Sequence, residues 1–259
     1  MLVVYFTPLL RVLWISVMEP KVGLGNYALL VSDPAVQRVL MTTFRISLTT
    51  TVISVVIAYV IAYSVTHAEP RLRRLMLLFV LLPFWVSVLV RACAWVTLLG
   101  RQGLVNKALI GLGVIDEPLT MMFNELGVNI GMVHYMVPVA TLTLYANMSG
   151  LDRRLTSAAR GLGASPRQAF LRVFLPLGLP GVAAASTLVF VFSMGFYVTP
   201  ALLGGGKTLM AAQYITILIN DTVQWGMATM MATTLLFAIF GLLGVLASCF
   251  DVRRLFGAS

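Results

Sequence analysis

LDRRLTSAARGLGASPRQAFLRVFLP, residues 151–176, is a basic, polar stretch between two runs of almost unbroken apolar sequence, 127–149 and 177–202. Locally it reads as two short helices joined by a tight turn. Asp152 suits the cap of a first helix that runs to about Arg160. Gly161 and Gly163 then permit the positive φ that ends a helix. Ser165 caps a second helix, Pro166 fits its first position, and Gln168 completes a capping box. Pro176 and Pro180 are expected to break the path before the next apolar run. Caps at so many ends predict a fixed shape presented to a partner.

The apolar flanks say where this segment lies. A helix needs about 20 mostly apolar residues to cross the hydrocarbon core. Six runs come close: about 1–18, 41–65, 75–99, 127–149, 177–202 and 225–250. Between them lie the Gly-Asn and Asp-Pro turn signals and most of the charges. Of 259 residues, 59% are hydrophobic and only 10% charged, with a mean hydropathy of +0.96. Soluble domains carry about 25% charged residues, so this chain has too few to cover a surface in water. The expected fold is an all-α integral membrane protein, one domain of six spans over 1–259, with 150–176 as a loop.

The first run is the weakest. Arg11 interrupts it, and its eighteen residues reach only about 27 Å at 1.5 Å per residue. It has neither the basic leader nor the cleavage site of a signal peptide, and the true start is expected upstream.

Lysine and arginine placement sets the orientation. With the N-terminus in the cytoplasm, the inner loops and tail hold Arg71, Arg73, Arg74, Arg153, Arg154, Arg160, Arg167, Arg172, Arg253 and Arg254. The outer loops hold Lys21, Arg38, Arg101, Lys107 and Lys207, with Arg11, Arg45 and Arg91 in or beside spans. Ten against five puts both termini and the 150–176 loop on the cytoplasmic side of the membrane. The net charge of +9 follows from this bias, and no nucleic-acid partner is expected.

Cys93 and Cys249 lie inside apolar runs without a Cys or His at ligand spacing, so neither a disulfide nor a metal site is expected. Gly204, Gly205, Gly206, Lys207 and Thr208 look like the end of a phosphate-binding loop. That motif needs glycine where Ala201 stands, and a strand where this chain has an apolar span. The glycines read as a flexible turn. No catalytic residue or cofactor site is expected here.

Ser157, Ala158 and Ala159, three residues, Gly163, nine residues, Val173, one residue, then Leu175 and Pro176 resemble the "EAA" loop of ABC-importer permeases, E-A-A-x3-G-x9-I-x-L-P. The spacing is met throughout; Ser157 replaces Glu and Val173 replaces Ile. The resemblance implies a coupling helix that docks on a separate ATPase subunit, which binds the ATP and Mg. Arg153, Arg154 and Arg160 suit carboxylates on that partner, and Ser165 and Pro166 belong to the docking segment. Three further stretches are similar to spermidine/putrescine-type permeases, the first of their two permease subunits: Gly23 to Tyr27, Val90 to Trp95 with Leu99 to Arg101, and Thr199 to Gly205. This implies a second permease, a pair of ATPases and an extracytoplasmic substrate-binding protein.

Candidates for the solute path follow from polarity within spans. Arg91 is the costly intramembrane charge, able to snorkel or to pair structurally. His134 and Tyr135 precede an expected kink at Pro138. Ser193, Phe196, Tyr197 and Thr199 lie toward the outer half of the fifth span, while Gly181 and Ala185 suit close helix packing. A polyamine calls for carboxylates and aromatic faces, and the spans hold no clear midspan Asp or Glu. Two rivals remain: a transporter or channel driven by an ion gradient, which should carry intramembrane carboxylates or repeats, and a membrane assembly protein without a transport path.

Overall fold

The computed structural model describes residues 2–249, with side chains from Phe6 to Val245 except that of Arg153. Arg253 and Arg254 lie outside the described residues. The described chain is helical throughout, without a strand. The helices are α1 (Leu2–Met18), α2 (Gly25–Ser32), α3 (Pro34–His67), α4 (Pro70–Leu81), α5 (Val88–Leu99), α6 (Leu104–Gly111), α7 (Glu125–Ser149), α8 (Arg153–Gly161), α9 (Pro166–Ala169), α10 (Leu175–Met194), α11 (Val198–Leu203), α12 (Ala211–Asn220) and α13 (Trp225–Cys249). Five described stretches are long and apolar enough to cross a membrane: Pro34–His67, Val88–Gly111, Glu125–Ser149, Pro166–Met194 and Trp225–Val245. The apolar part of α1, Phe6–Met18, is shorter.

Local chemistry moves several expected boundaries. Asp33 accepts the Ala35 N–H at 2.7 Å, so Asp33-Pro34 starts a helix instead of making a loop. The resulting α3 has 34 residues, about 51 Å of helix. The Gly-Asn signal at 25–26 lies within α2, where Asn26 donates to the carbonyls of Ser16 (3.0 Å) and Glu19 (2.6 Å). The run 75–99 is not one helix. After α4 comes a 3-10 turn, Leu82–Trp85, and then extended backbone at Val86. Pro83 supplies no N–H, and uniform hydropathy hides the break it makes. Arg71, Arg73 and Arg74 stand on α4, not in a loop.

The run 177–202 shifts the other way. Helix begins at Pro166 and continues to Met194, so Pro176 and Pro180 do not break the path. A widened π-type turn, Phe170–Phe174, closed by the Leu175 N–H on the Phe170 carbonyl, precedes Pro176. A proline clashes with the carbonyl four residues back, here Arg172, and that carbonyl lies inside the widened turn. Residues 195–197 then leave the helix before α11.

The residues gather into two compact units, neither continuous in sequence. Of the described residues, one draws on 2–49, 88–132 and 191–244; the other on 50–87, 133–190 and 245–249. In the first, Val36, Val39, Ala211, Leu218, Met230 and Met231 form one buried cluster, and Ile46, Val128, Met132, Leu203 and Met210 another. Between them Thr43 accepts the Ala211 N–H at 2.8 Å, satisfying an orphan donor at the start of α12. Along α3, Thr43, Ser47, Thr50, Ser54, Ala58 and Ala62 are all fully buried at three- and four-residue spacing. That is a small-residue packing face.

Candidate functional site

Residues 151–176 lie in the second unit, and the expected caps form. Asp152 accepts the Arg154 N–H at 2.9 Å at the start of α8. At the other end the Ala164 N–H reaches the Ala159 carbonyl and the Gly163 N–H the Arg160 carbonyl, both at 3.0 Å. This Schellman closure needs the left-handed backbone that Gly163 adopts, φ +91°. Gly161 stays helical, so only Gly163 makes the turn. Ser165 and Gln168 make the reciprocal capping box of α9, with Pro166 in its first turn.

α8 presents two faces. Leu155 and Leu162 are 48% and 91% exposed, and with exposed Ala158 they line one side at helical spacing. Exposed Arg154 borders that stripe. On the opposite side, Ser157 and Arg160 open onto a pocket of about 260 Å³, shared with Asp152, His67, Tyr63, Pro166, Phe170 and Phe174. Residues 151–176 hold five arginines and one acid, Asp152, so the segment is strongly positive whatever surrounds it.

What braces this segment is aromatic, and the sequence reading did not single it out. Tyr63 of α3 meets Phe170 and Phe174 edge-on, with ring centres 5.4 and 5.2 Å away. His67 lies 4.2 Å from Tyr63 and 5.7 Å from Phe174, and Tyr59 reaches Phe170 edge-on at 6.4 Å. The signal was present: Tyr59, Tyr63 and His67 are four residues apart, as are Phe170 and Phe174. The expected break at Pro176 hid it, because the second pair then fell in a loop.

The expected path residues divide. Ser193 (0% exposed) and Thr199 (3%) are buried, and the Thr199 methyl packs where a Cβ on Gly131 would stand. Phe196 packs against the Ile46 and Met132 cluster. All three lie packed within the first unit, whereas Tyr197 is exposed. Arg91 is half-buried, one turn into α5. His134 is exposed and Tyr135 half-buried on α7, which continues through Pro138. Gly181 and Ala185 do pack closely: Ala185 is fully buried and Asn147 occupies the space beside Gly181. Among the described residues no three His, Cys, Asp or Glu side chains are grouped to hold a metal.

Fold and site together are those of a multi-helix membrane domain with a doubly capped basic helix between two of its spans. The model of the family described as "Binding-protein-dependent transport system inner membrane component" matches residues 54–248, and the chain belongs to this family. It is thus a multi-pass inner membrane permease of the ABC-importer class, working with a binding protein. It is 34% identical over 218 residues to the spermidine/putrescine transport system permease protein PotB of Salmonella typhimurium LT2, covering 83% of this chain and 76% of that one. The PotB protein of Escherichia coli K12 is 33% identical over 218 residues, covering 83% and 79%. The fold is similar to a bacterial ABC transporter that imports the acidic polysaccharide alginate (TM-score 0.75, 16% identity, 96% of this chain and 89% of that one). The alginate transporter in complex with its pentasaccharide-bound periplasmic protein is also similar (TM-score 0.70, 17% identity, 99% and 96%).

Proposed function

We propose that this chain lines half of the path by which an ATP-driven importer moves a small solute, a polyamine or a similar molecule, delivered by an extracytoplasmic binding protein. In this reading it crosses the inner membrane six times, α1 included, with both termini in the cytoplasm. It pairs with a second permease, and two ATPase subunits, which bind the ATP and Mg, serve the pair. The ten-to-five arginine and lysine bias supports the orientation, and the PotB relatives support the solute class.

One observation carries the reading: α8 is capped at both ends and turns Leu155, Ala158 and Leu162 outward beside Arg154. An exposed apolar stripe with a basic rim fits a groove on a partner with acidic edges. As the ATPases close, the docked α8 moves, and the brace of Tyr63, Phe170 and Phe174 passes that motion to α3 and α10. Rocking between the two permeases then gives alternating access. Removing residues 151–170 is expected to abolish co-purification with the ATPase while membrane insertion persists; a complex that still forms refutes the docking role. ATP-dependent uptake of putrescine and spermidine by the reconstituted complex tests the solute class, and uptake driven instead by an ion gradient defeats the importer reading.

A further inference from the structure

Three segments of the first unit enclose an open pocket of about 500 Å³: the end of α5 with Val96, Leu99 and Arg101, residues 120–124, and Lys207 from the glycine turn after α11. Each wall is pinned. Fully buried Asn106 of α6 donates to the carbonyls of Gly100 (3.0 Å) and Leu119 (3.1 Å) and accepts the Leu119 N–H (2.9 Å). Phe123 donates its N–H to the Leu203 carbonyl at 2.9 Å, and Lys207 its N–H to the Gly204 carbonyl at 3.1 Å. Gly205, at φ +55°, lies so close to the Phe123 ring that a Cβ would collide with it. The turn that mimics a phosphate loop in sequence is therefore a fixed mount for one lysine.

Two cations open onto this pocket and no carboxylate lines it. The ion pair of Arg45 with Glu125 is not part of it. The other walls are mostly apolar: Val96, Leu99, Met121, Met122 and Phe123. They continue into α5, whose stretch Val88–Gly111 is the least covered of the five apolar stretches by the chain itself. Leu89 and Val90 there are 55% and 58% exposed. Cations at the head of an apolar helix surface match an amphiphilic anion.

We propose that Arg101 and Lys207 hold the phosphate of an anionic phospholipid, with its acyl chains along α5. A soluble phosphate gains nothing from apolar walls, and an acidic loop of a docked protein would leave Val96, Leu99 and Met122 without a polar match. The inference needs only a membrane-embedded chain and is independent of the solute and of ATPase docking.

The test titrates phosphatidylglycerol into the purified, detergent-solubilised transporter complex and counts retained lipid by native mass spectrometry. Changing both Arg101→Gln and Lys207→Gln is expected to weaken retention roughly thirtyfold, with phosphatidylcholine retention and the lipid-free melting temperature unchanged. The exchange Arg101→Lys with Lys207→Arg keeps the charge and is expected to keep the lipid. Undiminished retention in the double Gln variant overturns the proposal, as does loss in the charge-keeping exchange. Equal competition by soluble glycerol 3-phosphate overturns it in favour of a free-anion site. Failure of the double Gln variant to dock the binding protein in phosphatidylcholine nanodiscs, with lipid retention intact, overturns it in favour of a protein contact.

Discussion

The guanidinium of Arg45 on α3 pairs with the carboxylate of Glu125, the first residue of α7, across eighty positions of sequence. One turn along α3, Thr49 donates to the Asn129 side-chain oxygen at 2.7 Å, and the Asn129 amide donates to the Glu125 carbonyl at 2.8 Å. Two consecutive turns of α3 are thus stitched to the first turns of α7.

The two stitches are expected to differ in worth. Arg45 and Glu125 side chains are 58% and 39% exposed, so Glu125→Gln is expected to cost under about 1 kcal/mol and less in high salt. Thr49→Val removes the hydroxyl from Asn129 and is expected to cost about 1 kcal/mol, independent of salt. Melting of the purified permease at low and high salt separates them; a large, salt-sensitive loss in Glu125→Gln contradicts the assignment.

The aromatic brace is expected to govern coupling more than assembly. Phe174 is 6% exposed, and truncating a buried Phe to Ala costs about 3 kcal/mol or more. Tyr63→Ala removes the edge-on partner of both phenylalanines, each pair contributing about 1 kcal/mol beyond its area. Both variants are expected to bind the ATPase yet hydrolyse ATP with weak stimulation by the loaded binding protein. Tyr63→Phe keeps the ring and is expected to retain stimulation. ATPase rates with and without binding protein read this directly, and normal stimulation in Tyr63→Ala would show that the brace transmits nothing.

The exposed stripe of α8 yields a sharper interface test. Leu162 is 91% exposed, so Leu162→Asp is expected to leave the permease fold unaffected, within about 0.5 kcal/mol. Burying that carboxylate against a partner with acidic edges is expected to weaken ATPase binding by about 2 kcal/mol or more, some thirtyfold. Affinity of the detergent-purified permease for the ATPase measures it; unchanged affinity removes Leu162 from the interface.

Much of this was legible in sequence because short-range chemistry decides it. Asp152, Ser165 and Gln168 act within three residues of their own positions, and the structure keeps all of their bonds. The apolar runs fixed the fold class for the same reason. Proline is harder to read, since its effect depends on the backbone around it. Pro83 ends regular helix within an apolar run, while Pro176 is tolerated behind a widened turn. Ser193 and Thr199 are path candidates on polarity alone, and the burial of both is a matter of tertiary packing that no local pattern encodes. Arg45 with Glu125, and Asn106 between Gly100 and Leu119, are long-range pairings that no local pattern encodes.

Gly181 of α10 packs closely against one neighbour on α7, Asn147. A Cβ at Gly181 would fall onto the side chain of Asn147, whose own Oδ1 is buried without a hydrogen-bond partner. Gly181→Ala is therefore expected to cost about 1–3 kcal/mol through overpacking. Asn147→Ala alone removes an unsatisfied polar atom but leaves a void, two effects of opposite sign, so a change within about 1 kcal/mol is expected. The combination fills that void with the new methyl, and the double variant is expected to melt above Gly181→Ala alone. A double-mutant cycle on melting temperature reads the coupling. Additive losses would mean that α7 and α10 part easily at this level, and the close approach of Gly181 to Asn147 would then not hold them together.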